Sequence, residues 1–240
     1  MSNSASEPRR PSMRLTANEA MALFMPSPRI PMAALVDAAP PGDGHAVLVL
    51  PGLGHSDAYT ATVREFLNTI GYNAQGWGLG LNFGPTQHLI DGATERLVAL
   101  SDRYGPLSAV GFSMGGLFAR LLAVRMPERV RRIVTVCSPI HEPARSFWLP
   151  MEHAMGLWGG AELDRMADEI RHPMPVPSTS LYSRDDGIVN WAACIDSAAT
   201  AEAIEISGPH VSIAQNAEVL AILGKTLARA AIPNGDHPCD

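Results

Sequence analysis

The segment GFSMG, residues 111–115, holds one hydroxyl group, that of Ser113, between two glycines. The segment LSAV at 107–110 is apolar enough to predict a buried strand, and residues 116–125 carry apolar side chains at helical spacing. A strand that turns directly into a helix holds such a serine in a strained bend with its hydroxyl exposed, and only small neighbours leave room for the bend. The pattern predicts that Ser113 is a nucleophile.

A serine nucleophile needs a base, usually a histidine that a carboxylate orients, and around such a bend the chain order is serine, acid, histidine. Among eight histidines, His210 follows the last predicted strand and precedes the last predicted helix, so we predict that it is the base. The preceding strand is followed by Asp185 and Asp186, and we favour Asp186 because GIV at 187–189 can turn the chain behind its carboxylate. An ordinary loop role for His210 and for either aspartate is the alternative.

The oxyanion of an acyl-transfer intermediate needs backbone N–H donors. Met114 directly follows the serine, so its amide is one expected donor. The second is expected in PGLGH, residues 51–55, where the amide of Leu53 follows the glycine at a strand end. His55 in the same segment either faces the pocket or has no role, and both interpretations stay open.

The elements that must position these residues alternate along the chain. The run AVLVL at 46–50 is typical of a parallel strand that is covered on both faces. Further strands are predicted at 72–77, 107–112, 130–137, 178–183 and 203–206, and helices at 17–24, 58–70, 89–104, 114–125, 161–171 and 218–230. The alternation predicts an α/β fold with a doubly wound, mostly parallel sheet. Ligands bind beyond the carboxyl ends of such strands, where every candidate residue falls.

The predicted organisation is one domain at 44–232 with a cap insertion at about 140–176, an N-terminal tail and lead-in at 1–43, and a C-terminal tail at 233–240. Prolines at 26, 28, 31, 40 and 41 favour an extended lead-in. The cap carries Phe147, Trp148 and Trp158, whose rings either contact an acyl chain or only pack the cap onto the sheet.

The composition excludes several classes of partner. The net charge of −6 argues against a polyanionic ligand, so no nucleic-acid partner is expected. No apolar run approaches the ~18 residues of a membrane span, and no signal sequence is visible, so no integral membrane segment and a cytoplasmic location are expected. The three cysteines fit reduced thiols. The oligomeric state is not predicted.

No cofactor or metal is expected from the motifs. The histidines and cysteines lack the spacing of common metal ligands. GLG at 78–80 is a poor match to a dinucleotide-binding motif, because Phe83 takes the third glycine position and Pro85 follows where a helix should begin. We expect this segment to form a loop beside the active-site mouth.

In this order, the segments PGLGHS, GFSMGG, RDDGIV and GPH resemble the α/β-hydrolase superfamily, particularly small bacterial esterases and lipases, over roughly residues 44–229. The resemblance implies an α/β-hydrolase fold with a short helical cap. It also implies a catalytic triad of Ser113, Asp186 and His210, with the amides of Leu53 and Met114 as the oxyanion hole.

The activity that the resemblance implies is hydrolysis of a small-molecule or lipid ester through an acyl-enzyme. Many relatives have His-Gly where this chain has Pro51-Gly52. The backbone amide role survives that change, whereas any hydrogen-bonding role of the missing histidine does not. Two other functions stay open: an acyltransferase with the same triad, and a non-catalytic binding protein with the hydrolase fold.

Overall fold

The computed structural model of this 240-residue chain describes residues 11–22, 31–141, 160–196, 198 and 201–229. Residues 142–159 of the predicted cap, with Phe147, Trp148 and Trp158, lie outside the described residues, as does the predicted C-terminal tail. The predicted domain boundaries therefore stay predictions.

Six strands form one sheet in the described part of the chain. They are β1 (Ala46–Leu50), β2 (Asn73–Gly76), β3 (Leu107–Phe112), β4 (Val130–Val136), β5 (Ser178–Ser183) and β6 (Ala201–Ile206). Their order is β2-β1-β3-β4-β5-β6, and every neighbouring pair is parallel. The predicted doubly wound, parallel fold class is confirmed. All six carboxyl ends consequently lie at one edge of the sheet.

Helices cover both faces of this sheet. The described α-helices are α1 (Met13–Ala22), α2 (Met32–Ala38), α3 (Ala61–Thr69), α4 (Gln87–Tyr104), α5 (Met114–Arg125), α6 (Gly160–Ile170) and α7 (Ala217–Leu227). In β1, Leu48 and Leu50 pack into the core under α4 and α5, whereas Val47 and Val49 pack into the core under α3 and α7. This two-sided burial explains why the strand is apolar at every position. No described helix is long and apolar enough to cross a membrane.

Helix α2 contradicts the extended lead-in predicted for this region. Pro31 stands at the N-cap position, where a missing backbone N–H costs no helical hydrogen bond. Met32, Leu35 and Val36 then fall at helical spacing and pack against the core beside α3 and α7. The prolines therefore did not exclude a helix: one of them stands at the start of α2, and the others lie outside the helix.

Candidate active site

Ser113 lies in a strained bend between β3 and α5. Its φ of 51° and ψ of −122° are unfavourable for a residue with a side chain, at a cost of about 1–3 kcal/mol. The surroundings hold the bend, since the Ser113 N–H donates to the carbonyl of Val136 at 2.8 Å. A Cβ on Gly111 would lie 2.3 Å from the oxygen of Gly115, and one on Gly115 would lie 2.2 Å from the oxygen of Leu50. The predicted bend is present, and both glycines are sterically required.

Asp186 and His210 are hydrogen-bonded to each other beyond the carboxyl ends of the strands, where Ser113 also lies. His210 Nδ1 lies 2.6 Å from Asp186 Oδ2, and both residues are buried. Asp186 Oδ1 accepts the N–H groups of residues 188 and 189 at 2.8 and 2.7 Å, which fixes the carboxylate. The neighbouring Asp185 instead accepts the N–H of Gly208 at 3.0 Å. The geometry thus selects Asp186 of the two candidate aspartates.

Ser113 and His210 line one pocket. Its walls are formed by Gly52, Leu53, His55, Tyr59, Phe112, Ser113, Ile188, His210, Val211 and Ile213. Among the described residues, no hydrogen bond joins the side chains of Ser113 and His210. Catalytic hydrogen bonds are often long in unliganded enzymes and tighten when substrate binds. The structure therefore brings the predicted nucleophile, base and acid to one site.

The segments that carry the two predicted oxyanion amides lie next to Ser113. Met114 is the first residue of α5, and a Cβ on Gly52, next to Leu53, would lie 3.2 Å from the Ser113 Cβ. Within the described ranges, no carbonyl accepts the N–H of Leu53 or that of Met114. His55, whose role was open, lines the pocket and has its Nδ1 2.9 Å from the Leu53 oxygen. Two backbone N–H groups of the segments next to the serine thus have no carbonyl acceptor among the described residues.

Asn82, which the sequence analysis did not single out, holds the 51–55 loop in place. It is fully buried, and its Nδ2 donates to the Pro51 oxygen at 2.8 Å. The N–H of Gly54 donates to the Asn82 oxygen at 2.7 Å. The GLG segment at 78–80 therefore belongs to a loop that contacts the 51–55 loop through Asn82, and its position beside the active-site mouth stays a prediction. In the sequence, only the position of this amide side chain within a Gly-rich segment could have indicated that Asn82 holds another loop.

The electrostatic surroundings of His210 favour its protonated form. Burial alone lowers the pKa of the imidazole, but the charge and hydrogen bond of Asp186 and the charge of Glu19 raise it above the usual 6.5. Glu19, on α1, is a buried carboxylate that the sequence analysis missed. A base with this environment takes a proton readily, as an attack by Ser113 would require.

Cys137 adds a thiol to this cluster. A sulfur, a carboxylate oxygen and an imidazole nitrogen from Cys137, Asp186 and His210 all lie within 4.8 Å of one another. Ligand spacing along the chain did not predict this group, because it is assembled from three separate strand ends. Burial raises the pKa of Cys137 well above its usual value, and Asp186 and His210 bind each other. The arrangement fits a hydrogen-bonded pair beside a neutral thiol better than a metal site.

A second Ser–His–Asp group lies at the other end of the strands, near their amino ends. His45 Nε2 is 2.8 Å from Ser108 Oγ, and His45 Nδ1 binds Asp43 Oδ1. Ser108 is the second residue of β3 and is completely buried. This group shares the residue types of the candidate site but has no access for a substrate.

Comparison with known proteins agrees with this architecture. A family model described as the alpha/beta hydrolase fold matches residues 50–157. A solved structure of the metagenome-derived lipolytic enzymes LipS and LipT is 18% identical, with a TM-score of 0.53, over 79% of this chain and 94% of that chain. An alpha/beta superfamily hydrolase from Oenococcus oeni PSU-1 is 16% identical, with a TM-score of 0.54, over 78% of this chain and 92% of that chain.

A third similar structure is the thioesterase domain from the curacin biosynthetic pathway, at 15% identity and a TM-score of 0.52, over 78% of this chain and 93% of that chain. At these identities the similarity concerns the fold. The family match over residues 50–157, the order of the parallel strands and the bend at the end of β3 agree, and the described part of the chain has the α/β-hydrolase fold.

Proposed function

We propose that this protein is a serine hydrolase that cleaves carboxylic esters through an acyl-enzyme formed on Ser113. The observation that carries the proposal is the buried Asp186–His210 pair, 2.6 Å apart, which opens onto the same pocket as a serine with a φ of 51°. A strained backbone that is sterically enforced at a pocket is typical of a functional site.

The proposed mechanism uses the described groups in turn. Asp186 holds His210 with Nδ1–H towards the carboxylate, so that Nε2 can accept the proton of Ser113 as its oxygen attacks the ester carbonyl. The N–H groups of Leu53 and Met114 stabilise the resulting oxyanion. His210 then protonates the departing alcohol, and afterwards it activates a water molecule that hydrolyses the acyl-enzyme.

The pocket walls support an apolar substrate part. Leu53, Phe112 and Ile188 line it together with Val211 and Ile213. Apolar walls with a few placed polar groups are usual for small-molecule sites. Among similar folds, a solved structure is named naproxen esterase (carboxylesterase NP) from Bacillus subtilis, at 16% identity and a TM-score of 0.50. A small-molecule or lipid ester is the substrate class that we propose.

Hydrolysis of p-nitrophenyl esters of increasing chain length tests the proposal. Ser113→Ala should lose at least ~10⁴-fold in kcat/KM, because the nucleophile is gone, while the thermal unfolding midpoint stays near that of the wild type. Ser108→Ala is the matched control and should keep its turnover. Retained turnover in folded Ser113→Ala would exclude this mechanism. Transfer of the acyl group to an added alcohol in preference to water would identify an acyltransferase instead.

A further inference from the structure

The carboxylate of Glu19 binds both segments that carry the proposed acid and base. Glu19 is 5% exposed, and its Oε1 accepts the N–H of Gly187 at 2.7 Å and that of His210 at 2.8 Å. Its Oε2 accepts the N–H of Val211 at 2.9 Å. Gly187 directly follows Asp186 in the chain. One side chain therefore fixes the backbone on both sides of the Asp186–His210 hydrogen bond.

Helix α1 lies directly against the loop that carries Asp186. The Thr16 hydroxyl donates to the Gly187 oxygen at 2.9 Å. A Cβ on Gly187 would lie 2.2 Å from the Leu15 oxygen, so the backbone of the helix and that of the loop are in contact. A glycine is required at this position because α1 is packed there. The N-terminal helix is consequently part of the structure around the site.

Glu19 also supplies charge next to His210. Among the described residues, the titratable groups near His210 are Asp186, Glu19, the Cys137 thiol, the Tyr59 phenol, which donates to the His210 backbone oxygen at 3.4 Å, and His55, which lines the same pocket. Burial raises the pKa of both Cys137 and Tyr59, so these two groups are neutral. Within the described part of the chain, Asp186 and Glu19 are thus the two groups whose negative charge stabilises protonated His210.

The loss of this carboxylate has two separable consequences. Hydrogen bonds to an ionised acceptor are stronger than neutral ones, and a buried N–H left without a partner is destabilising. Truncation of Glu19 would leave the N–H groups of Gly187, His210 and Val211 without their acceptor. It would also remove one of the two negative charges near the imidazole.

We propose that Glu19 is a positioning residue, which holds the main chain of the Asp186 and His210 segments in place relative to Ser113 through three hydrogen bonds. This inference rests on the proposed function, since it concerns the same triad. Glu19 touches neither the substrate nor the reacting atoms in this mechanism. It acts through the main chain of the acid and base segments.

Glu19→Gln tests the proposal, with Thr16→Val as the matched control on the same helix. Glutamine keeps the size but loses the charge, and it turns an NH₂ group towards one of the N–H donors. We expect kcat to fall by about 10- to 100-fold with little change in KM, because small displacements of catalytic groups are costly. The acidic limb of kcat/KM should move to lower pH. Thr16→Val should leave that limb where it is.

The titration of His210, followed by NMR of histidine-labelled protein, provides a readout that does not depend on activity. The pKa of His210 should be lower in Glu19→Gln than in the wild type and unchanged in Thr16→Val. A wild type that hydrolyses no ester would overturn the proposed function, while this titration would still decide whether Glu19 acts on His210. An unchanged kcat together with an unchanged titration in Glu19→Gln would overturn the inference.

Glu19→Asp provides a second test if Glu19→Gln does not fold. Aspartate keeps the charge but is one methylene shorter, so it cannot reach all three N–H donors without a shift of α1. We expect kcat to fall while the His210 titration stays closer to that of the wild type than in any uncharged variant. A wild-type kcat in Glu19→Asp would contradict the positioning role.

Discussion

Strand β3 connects two Ser–His–Asp groups that are alike in composition and different in surroundings. Ser108 lies near its amino end and Ser113 follows its carboxyl end. The two serines are five residue steps apart, which is about 17 Å at about 3.3 Å a step. At each end a histidine is bonded to an aspartate, Asp43 for His45 and Asp186 for His210.

The backbone and the access to solvent separate the two groups. Ser108 pairs with Val47 within the sheet and is completely buried, so a substrate cannot reach its hydroxyl. Ser113 has left the sheet, has a φ of 51° and faces a pocket. The N–H groups of Leu53 and Met114, which no carbonyl of the described residues accepts, belong to the segments next to Ser113. In the proposed mechanism, the bend, the pocket and the backbone donors distinguish the Ser113 group from the Ser108 group, which has the same residue types.

Each histidine is bonded to an aspartate, but the further charges near the two histidines differ in sign. Burial lowers the pKa of His45, and the charges of Arg131 and Arg132 lower it further, against the opposing effect of Asp43. Arg131 also binds the second oxygen of Asp43 at 3.0 Å. At His210, by contrast, Asp186 and Glu19 outweigh burial and raise the pKa. The surroundings of His45 thus favour its neutral form, whereas those of His210 favour its protonated form.

Substitution of each histidine should give the largest difference between the two groups, because one variant should lose activity and the other stability. His210→Asn should lose about 10²–10⁴-fold in kcat, because the general base is removed. His45→Gln should keep kcat within about twofold. Its free energy of unfolding should fall by about 1–3 kcal/mol, because the buried Ser108 hydroxyl loses its partner and Asp43 keeps only Arg131 as a side-chain partner. Ester hydrolysis and urea unfolding measure the two effects. A folded His45→Gln variant without activity would contradict this assignment.

The pH dependence of stability should distinguish the histidines more subtly. The raised pKa of His210 gives stability that is fully present below the unfolded value near 6.5 and is lost as pH rises through the folded pKa. The lowered pKa of His45 acts in the opposite sense, so its contribution is lost as pH falls below about 6.5. Urea unfolding across this pH range, in the wild type and in His210→Asn and His45→Gln, measures both slopes. Slopes that change in the same direction in both variants would argue against the opposite charge environments.

The protonation of His210 should also set the acidic limb of the pH profile of kcat/KM. Because the pKa of His210 is raised, the midpoint of the acidic limb of kcat/KM should lie above 6.5, the usual value for histidine. A pH–rate profile of the wild type with an uncharged ester measures it. A midpoint below 6.5 would indicate that His210 is not the base or that its negative neighbours are compensated.

The fold could be predicted because its signals are local. Strand β3, helix α5 and strand β5 begin and end at the predicted residues, since continuous apolar runs, glycines and a proline mark their ends. Every candidate site residue follows a strand, so the parallel order alone brings them to one edge. Asp186 was favoured over Asp185 from the residues behind it, and the hydrogen bond to His210 agrees with that choice.

The contacts that sequence reasoning missed are long-range and use the main chain. Glu19 is 168, 191 and 192 residues away from the N–H donors that it binds. Every residue except proline offers such a donor, so no side-chain pattern indicates the pairing. The Asp43–His45–Ser108 group was also missed, because Ser108 looks like any small residue of a buried strand. The catalytic roles, the domain boundaries and a cytoplasmic location stay predictions.

Covalent labelling of the native protein with a fluorophosphonate tests the central claim most directly. Ser108 and Ser113 fall within one tryptic peptide, residues 104–120, so fragmentation by tandem mass spectrometry compares them in a single experiment. We predict an adduct on Ser113, formed by the folded protein and lost in His210→Asn. An adduct on Ser108, or a folded and active protein in which Ser113 stays unlabelled, would contradict the account.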